Sequence, residues 1–254
     1  MEYVDHHGRE TAYRATDFGD GAPVLYIHGS GGYHRVWTQQ YGPDGVGPAA
    51  AVDLTGHGES ADIDLAAGIE TLDAYADDVV AVAEETGART LVGNSLGGGV
   101  ALWVALERDL PLDALVLCGT GAKLGVGDDL LEMLDSAFEA GVEAVHSPGL
   151  LFHDADQETV ERSKEQLLET GAKVTARDFR TCDAFDVRDR LDEVEVPALA
   201  ITGEHDGMTP PSFTEYLGEH LPNCETAILE DCAHLSMVER PEAWNEQVRA
   251  FLAD

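Results

Sequence analysis

The sequence predicts an α/β protein: a mostly parallel sheet covered by helices on both faces and interrupted by one helical insertion. Three observations carry this. Short apolar runs alternate with stretches of helical periodicity from residue 23 to residue 118, the pattern of strands buried on both faces. A serine lies between two glycines in Val92-Gly93-Asn94-Ser95-Leu96-Gly97-Gly98, where one apolar run gives way to a helical stretch. The alternation stops between 121 and about 188, then resumes at Val196.

Tyr3-Val4 and Thr11 to Ala15 alternate around His7-Gly8 and predict a small hairpin. Pro23 to Ile27 reads as a buried strand ending at His28-Gly29-Ser30-Gly31-Gly32, and Ala49 to Val52 as another, ending in Asp53-Leu54-Thr55-Gly56-His57-Gly58-Glu59-Ser60. Leu72, Tyr75, Ala76, Val79, Val80 and Ala83 recur at helical spacing. Then come strand Thr90 to Gly93, helix Leu96 to Leu106 and strand Ala114 to Cys118. In the insertion, Leu130, Leu131, Leu134 and Phe138 fit one helix, and Val160, Leu167 and Leu168 a second. Strands at 196–201 and 226–229 and a helix from Pro241 to Phe251 complete the chain. An insertion at the end of a sheet strand should cover the site, because open α/β sheets bind ligands beyond the carboxyl ends of their strands.

Composition bounds the function. Asp and Glu number 49 against 15 Lys and Arg, a formal net charge of -34, with the acids spread along the whole chain. Such self-repulsion destabilises a folded chain in dilute buffer and is screened by salt, so the expected setting is the cytoplasm of an extreme halophile. Nucleic acid and anionic membrane surfaces are excluded as partners on the same ground, leaving a small-molecule substrate. No apolar run reaches the roughly 18 residues of a membrane span, and the acidic start Met1 to His7 is unlike a secretory leader. Cys118, Cys182, Cys224 and Cys232 form no CxxC pair and no ligand-like spacing with histidine, so free thiols are expected, with no metal and no cofactor. Oligomeric state is open.

A serine at a sharp strand-to-helix turn presents its hydroxyl at the carboxyl edge of a sheet; side chains at Gly93 and Gly97 would collide with the neighbouring backbone. Such a nucleophile needs a base, and the base needs an orienting carboxylate. Asp206 follows the strand at 196–202 and His234 the strand at 226–229, so both fall on loops at the same sheet edge as Ser95. The order serine, acid, histidine suits a strand-borne elbow. Glu204 competes with Asp206 for the orienting role, whereas Asp231 reads as a loop charge. For the oxyanion, Leu96 N–H is one expected donor and Ser30 N–H the other, with Gly31 as the fallback. His28 and Gly29 are expected to shape that loop and His57 the loop beside it; His34, His146, His153, His205 and His220 read as solvated or structural. Trp37, Met133, Leu134, Phe138, Met208 and Met237 are candidates for an apolar pocket or for ordinary packing. Gly29-Ser30-Gly31-Gly32 lacks the lysine of a P-loop, and no G-x-G-x-x-G follows the first strand.

On these motifs, with Gly203-Glu204-His205-Asp206 and His234, the chain resembles the α/β-hydrolase superfamily over essentially its whole length. The likeness is greatest to its capped, cofactor-free group of small-molecule carboxylesterases, carbon–carbon bond hydrolases and perhydrolases. The resemblance implies an eight-stranded sheet, a core of residues 1–120 and 186–254, a helical cap at 121–185, and a Ser95–His234–Asp206 triad. Serine at the elbow argues against haloalkane dehalogenases and epoxide hydrolases, which carry aspartate there. The oxyanion loop lacks the proline usual in proline-selective aminopeptidases. The expected reaction is hydrolysis of a small carboxylic ester through an acyl-enzyme on Ser95. The alternatives are cleavage of a carbon–carbon bond in a vinylogous diketone, with Arg162, Arg177 and Arg180 as candidate carboxylate ligands, a thioesterase or lactonase, and a non-catalytic receptor on the same fold.

Overall fold

The computed structural model describes residues 1–253. Strands β1 (Glu2–His6) and β2 (Arg9–Thr16) form the antiparallel hairpin, turned at His7-Gly8. Both turn residues take positive φ, 48° and 77°, which sets the twist of a tight two-residue connection. Strand β3 (Val24–Ile27) leads through a 3₁₀ turn at His34–Trp37 into the short helix α1 (Thr38–Tyr41) and strand β4 (Ala49–Val52). Helix α2 (Ile69–Thr86), strand β5 (Thr90–Asn94), helix α3 (Leu96–Glu107) and strand β6 (Ala114–Cys118) follow.

After β6 the chain leaves the sheet for four helices: α4 (Asp128–Ser136), α5 (Phe138–Val145), α6 (Gln157–Thr170) and α7 (Ala172–Ala184). Where this insertion departs and rejoins, its ends pair: Val187 N–H donates to Ala122 C=O (2.8 Å) and Lys123 bridges to Asp186. Strand β7 (Ala198–Gly203), helix α8 (Pro211–His220), strand β8 (Cys224–Leu229) and helices α9 (Ser236–Glu239) and α10 (Pro241–Leu252) complete the core. The eight strands run β1-β2-β4-β3-β5-β6-β7-β8, antiparallel at the first two pairings and parallel from β4 to β8.

The period of two along each strand sends alternate residues to opposite faces. Leu25 and Ile27 pack with α2 and α3, while Val24 and Tyr26 pack with Trp37, Trp244 and Val248 on the other side. From β3 to β7 both faces are therefore dry, which is why those parallel strands read as apolar runs, whereas edge strand β8 keeps Glu225, Thr226 and Ile228 exposed. The cap has a small core of its own, built from Leu131, Leu134, Val142, Val145, Leu167, Ala176 and Phe179.

Two expectations for the insertion need correction. Leu130 to Phe138 is not one helix: Ala137 (φ -146°, ψ 57°) breaks it into α4 and α5. Helix α7 has no counterpart in the sequence reading. Its buried face carries Thr175, Arg177, Asp178 and Thr181 beside Val174 and Phe179, so an apolar period cannot reveal it. No helix among the described residues is long and apolar enough to cross a membrane.

Candidate active site

Ser95 lies between β5 and α3 at φ 55°, ψ -119°, a conformation that an L residue adopts only when its surroundings enforce it. They do so here. Ser95 N–H donates to Cys118 C=O (2.9 Å), while Ser95 C=O accepts from Gly98 N–H (3.0 Å) and Thr120 Oγ1 (2.8 Å). A Cβ at Gly93 would strike Gly97 C=O, and one at Gly97 would strike Ile27 C=O, so the elbow packs against helix and neighbouring strand only with glycine at both places.

Asp206 and His234 come from the loops after β7 and β8. His234 Nδ1 lies 3.0 Å from Asp206 Oδ2 and 3.1 Å from Oδ1, both side chains being almost fully buried. Four further donors hold the carboxylate: Met208 N–H (2.9 Å), Thr209 N–H (2.8 Å), Thr209 Oγ1 (2.8 Å) and Thr202 Oγ1 (3.0 Å). Burial pushes the Asp206 carboxyl up, but His234 and the Thr209 donors outweigh it and hold its pKa below the usual aspartate value. Glu204 stays in solvent beside His205, 3.8 Å away, so the carboxylate that meets His234 is that of Asp206.

The loop after β3 is fixed from two sides. Leu54 N–H donates to His28 Nε2 (3.1 Å), so the proton sits on Nδ1, which donates to Gly29 C=O (2.8 Å). Burial lowers the His28 pKa to about 3 and keeps the ring neutral. From the cap, Asp178 on α7 accepts from Gly31 N–H (2.8 Å), His57 Nε2 (2.8 Å) and Tyr75 OH (2.5 Å). Asp178 is fully buried. Burial alone would raise its carboxyl, yet His57, Tyr75 and Gly31 together bring the pKa below the ordinary value.

This contact removes Gly31 from the expected oxyanion donors, since its N–H already serves Asp178. Ser30 N–H and Leu96 N–H, by contrast, have no protein acceptor among the described residues. Arg177, next along α7, donates to Asp62, Ile63 C=O, Thr55 C=O and Tyr75 OH, so cap and core are joined by a polar seam. Thr202, Thr209 and Asp178 carried no sequence signal, because single hydroxyls are common and acids are everywhere in this chain.

Ser95 and His234 open into one cavity of about 50 Å³, lined mainly by Val36, Val145, Leu151, Leu167, Phe179, Met208 and Leu235. An outer hollow of about 440 Å³ adjoins it past Ser163 and Gln166. Of the six pocket candidates only Met208 lines the inner cavity. Trp37 and Met237 are fully buried beside Tyr26 and Trp244, Leu134 and Phe138 pack within the cap, and Met133 lies outside the lining. All four cysteines are free.

A family model described as "Alpha/beta hydrolase family" matches residues 24–247. The chain belongs to the alpha/beta hydrolase family. This hydrolase is 29% identical over 229 residues to pimeloyl-(acyl-carrier protein) methyl ester esterase of Neisseria meningitidis serogroup C, a match covering 81% of this chain and 83% of that one. It is 27% identical over 210 residues to 3-oxoadipate enol-lactonase 2 of Acinetobacter baylyi, covering 79% and 76%. A solved structure of a thermophilic esterase superposes with a TM-score of 0.87 at 29% identity, covering 99% of this chain and 96% of that one. The relatives as a group span esterases, lactonases and a carbon–carbon bond hydrolase.

Proposed function

We propose that the hydrolase cleaves small, uncharged carboxylic esters through an acyl-enzyme on Ser95. The observation that carries this reading is that Ser95 and His234 open into the same apolar cavity, with Asp206 buried 3.0 Å behind the imidazole. Asp206 accepts the Nδ1 proton of His234 and so leaves Nε2 free as the base. Ser95 Oγ attacks the ester carbonyl as its proton passes to Nε2. The carbonyl oxygen gains charge and is met by the N–H groups of Ser30 and Leu96, at the positively polarised start of α3. Collapse of the tetrahedral intermediate breaks the bond to the alkoxy oxygen, which leaves with the proton from His234. Water then attacks the acyl-enzyme by the same route and frees the acid.

The cavity lining favours the ester over the vinylogous diketone. A diketone acid would bring a carboxylate, yet none of the three cap arginines reaches the inner cavity. Arg177 is engaged with Asp62 and Thr55, Arg180 with Asp135, and Arg162 with Glu158 at the outer hollow. The methyl ester esterase and enol-lactonase relatives fit the same acyl chemistry.

The test is turnover on aryl esters of rising acyl length beside a vinylogous diketone acid, with Ser95→Ala in parallel. The reading expects short esters to turn over fastest and Ser95→Ala to abolish it. Preference for the diketone, or full esterase activity in Ser95→Ala, overturns it.

A further inference from the structure

Outside the proposed active site, three metal-ligating side chains from distant parts of the sequence converge on one exposed patch. His153 lies in the cap segment between α5 and α6, His205 in the loop after β7, and Asp231 in the loop after β8. One donor atom from each lies within 4.8 Å of the others. The two imidazoles stack, with centroids 3.8 Å apart and planes 23° apart. We propose that these residues form a binding site for a borderline divalent cation of the zinc, cobalt or nickel type.

The donor set selects the metal class. Two imidazole nitrogens and one carboxylate oxygen suit zinc-like ions, whereas calcium and magnesium require oxygen shells. In tetrahedral coordination the donors around such an ion stand about 3.4 Å apart. All three side chains are exposed, so rotation about their own torsions can close the remaining gap.

The backbones that bear them are already fixed. His205 N–H donates to Cys232 C=O (2.9 Å) and Glu204 N–H to Leu229 C=O (2.8 Å), which locks the two core loops together. Gly207 N–H donates to Gly149 C=O (3.0 Å) and Leu235 N–H to Leu151 C=O (3.0 Å), which ties the cap segment to both. The Glu239 carboxylate then joins His153 N–H (2.9 Å) to Ala233 N–H (2.7 Å). A site whose ligands are held before the metal arrives spends little binding energy on ordering the chain. Glu204, beside His205, adds negative charge that attracts a cation. The sequence hides the site because its three members lie 52 and 26 positions apart, a spacing that matches no linear metal motif.

An occupied site would pin the cap segment to the loops that carry Asp206 and His234. The metal site itself stands whether or not the esterase reading does. The experiment is titration of the chelator-treated full chain with Co²⁺, followed by visible ligand-field absorption and competition with Zn²⁺. Parallel samples carry His153→Ala, His205→Ala or Asp231→Asn, and a His220→Ala control removes an exposed histidine elsewhere on the surface. The proposal expects one Co²⁺ per chain displaced by Zn²⁺, affinity reduced by about tenfold or more in each site variant, and the control unchanged. It also expects Zn²⁺ to raise the melting temperature of the parent but not of His153→Ala/His205→Ala, because a ligand bound only to the folded state stabilises it. Absence of a saturable signal, a signal that survives His153→Ala/His205→Ala, or one lost in the control each overturns it.

Discussion

Asp178 couples the cap to the oxyanion loop, and its removal has consequences that can be worked out from its partners. In Asp178→Ala, Gly31 N–H, His57 Nε2–H and Tyr75 OH all lose their buried acceptor. An unsatisfied buried donor costs about 1–3 kcal/mol, and water entering the space left by the carboxylate recovers part, so the net loss is roughly 3–5 kcal/mol. At about 2.1 cal/mol/K per residue of unfolding entropy, that lowers the melting temperature of a chain this size by roughly 6–9 °C. Release of Gly31 also frees the Ser30 amide to drift, and kcat on an aryl acetate should fall about 10- to 100-fold, short of the loss of a whole oxyanion donor, with KM little changed. Asp178→Asn behaves differently. Its carbonyl oxygen can replace Oδ2, which serves Gly31 and His57, while the Tyr75 hydroxyl turns to accept from the amide. Its kcat should therefore stay within about threefold of the parent. Calorimetry and steady-state kinetics on the two variants decide. An Asp178→Ala protein with parental kcat and a melting temperature within about 2 °C would refute the coupling.

The buried neutral His28 makes the fold acid-sensitive. Its folded pKa of about 3 lies below the ordinary 6.5, so between those values the unfolded chain binds the extra proton. Its stabilising effect is complete above pH 6.5 and declines by about 1.4 kcal/mol per unit as pH falls towards 3. Urea midpoints should drop already between neutral and mildly acidic pH, and His28→Asn should flatten that slope. Asp53, Asp178 and Asp206, all held below the ordinary aspartate value, add a second loss as pH falls below that value through their folded pKa values. Burial raises the thiols of Cys118 and Cys224 to about 11 and those of Cys182 and Cys232 to about 12. A thiol reagent near neutral pH should therefore label the native chain hardly at all and reach four equivalents in denaturant, as mass spectrometry would show. Raising KCl from about 0.05 M to about 2 M should raise the melting temperature by screening the net charge of -34, and an unchanged or lowered value would count against the high-salt setting.

The centre of the sheet was legible because both of its faces are dry there: every strand from β3 to β7 holds a short unbroken buried run, such as Leu91–Gly93 in β5 and Ala198–Ile201 in β7, and the polar residues Thr90, Asn94 and Thr202 fall only near strand ends. The elbow was legible for a related reason, since close backbone packing at Gly93 and Gly97 leaves only glycine possible. Helix α7 was illegible because its inward face meets the core through Arg177 and Asp178 rather than through apolar side chains, and the pattern of a polar seam resembles that of an exposed helix. The same seam explains the error at Gly31. From sequence its amide is one of several free donors in a glycine-rich loop, and the carboxylate that engages it lies 147 residues away. Pocket residues failed for a third reason: Trp37 and Met237 are as apolar as any pocket wall, and only the packing of Trp37 against Tyr26 and Trp244 assigns them to the core.

Covalent trapping asks of Ser95 whether it is the nucleophile. The chain would be treated with an alkyl fluorophosphonate, which phosphonylates an activated serine with loss of fluoride, and its intact mass and tryptic peptides recorded. A single adduct per chain is expected on the peptide bearing Ser95, with none in Ser95→Ala and slowed labelling in His234→Ala. Labelling at another serine, or undiminished labelling in Ser95→Ala, would contradict that role for Ser95.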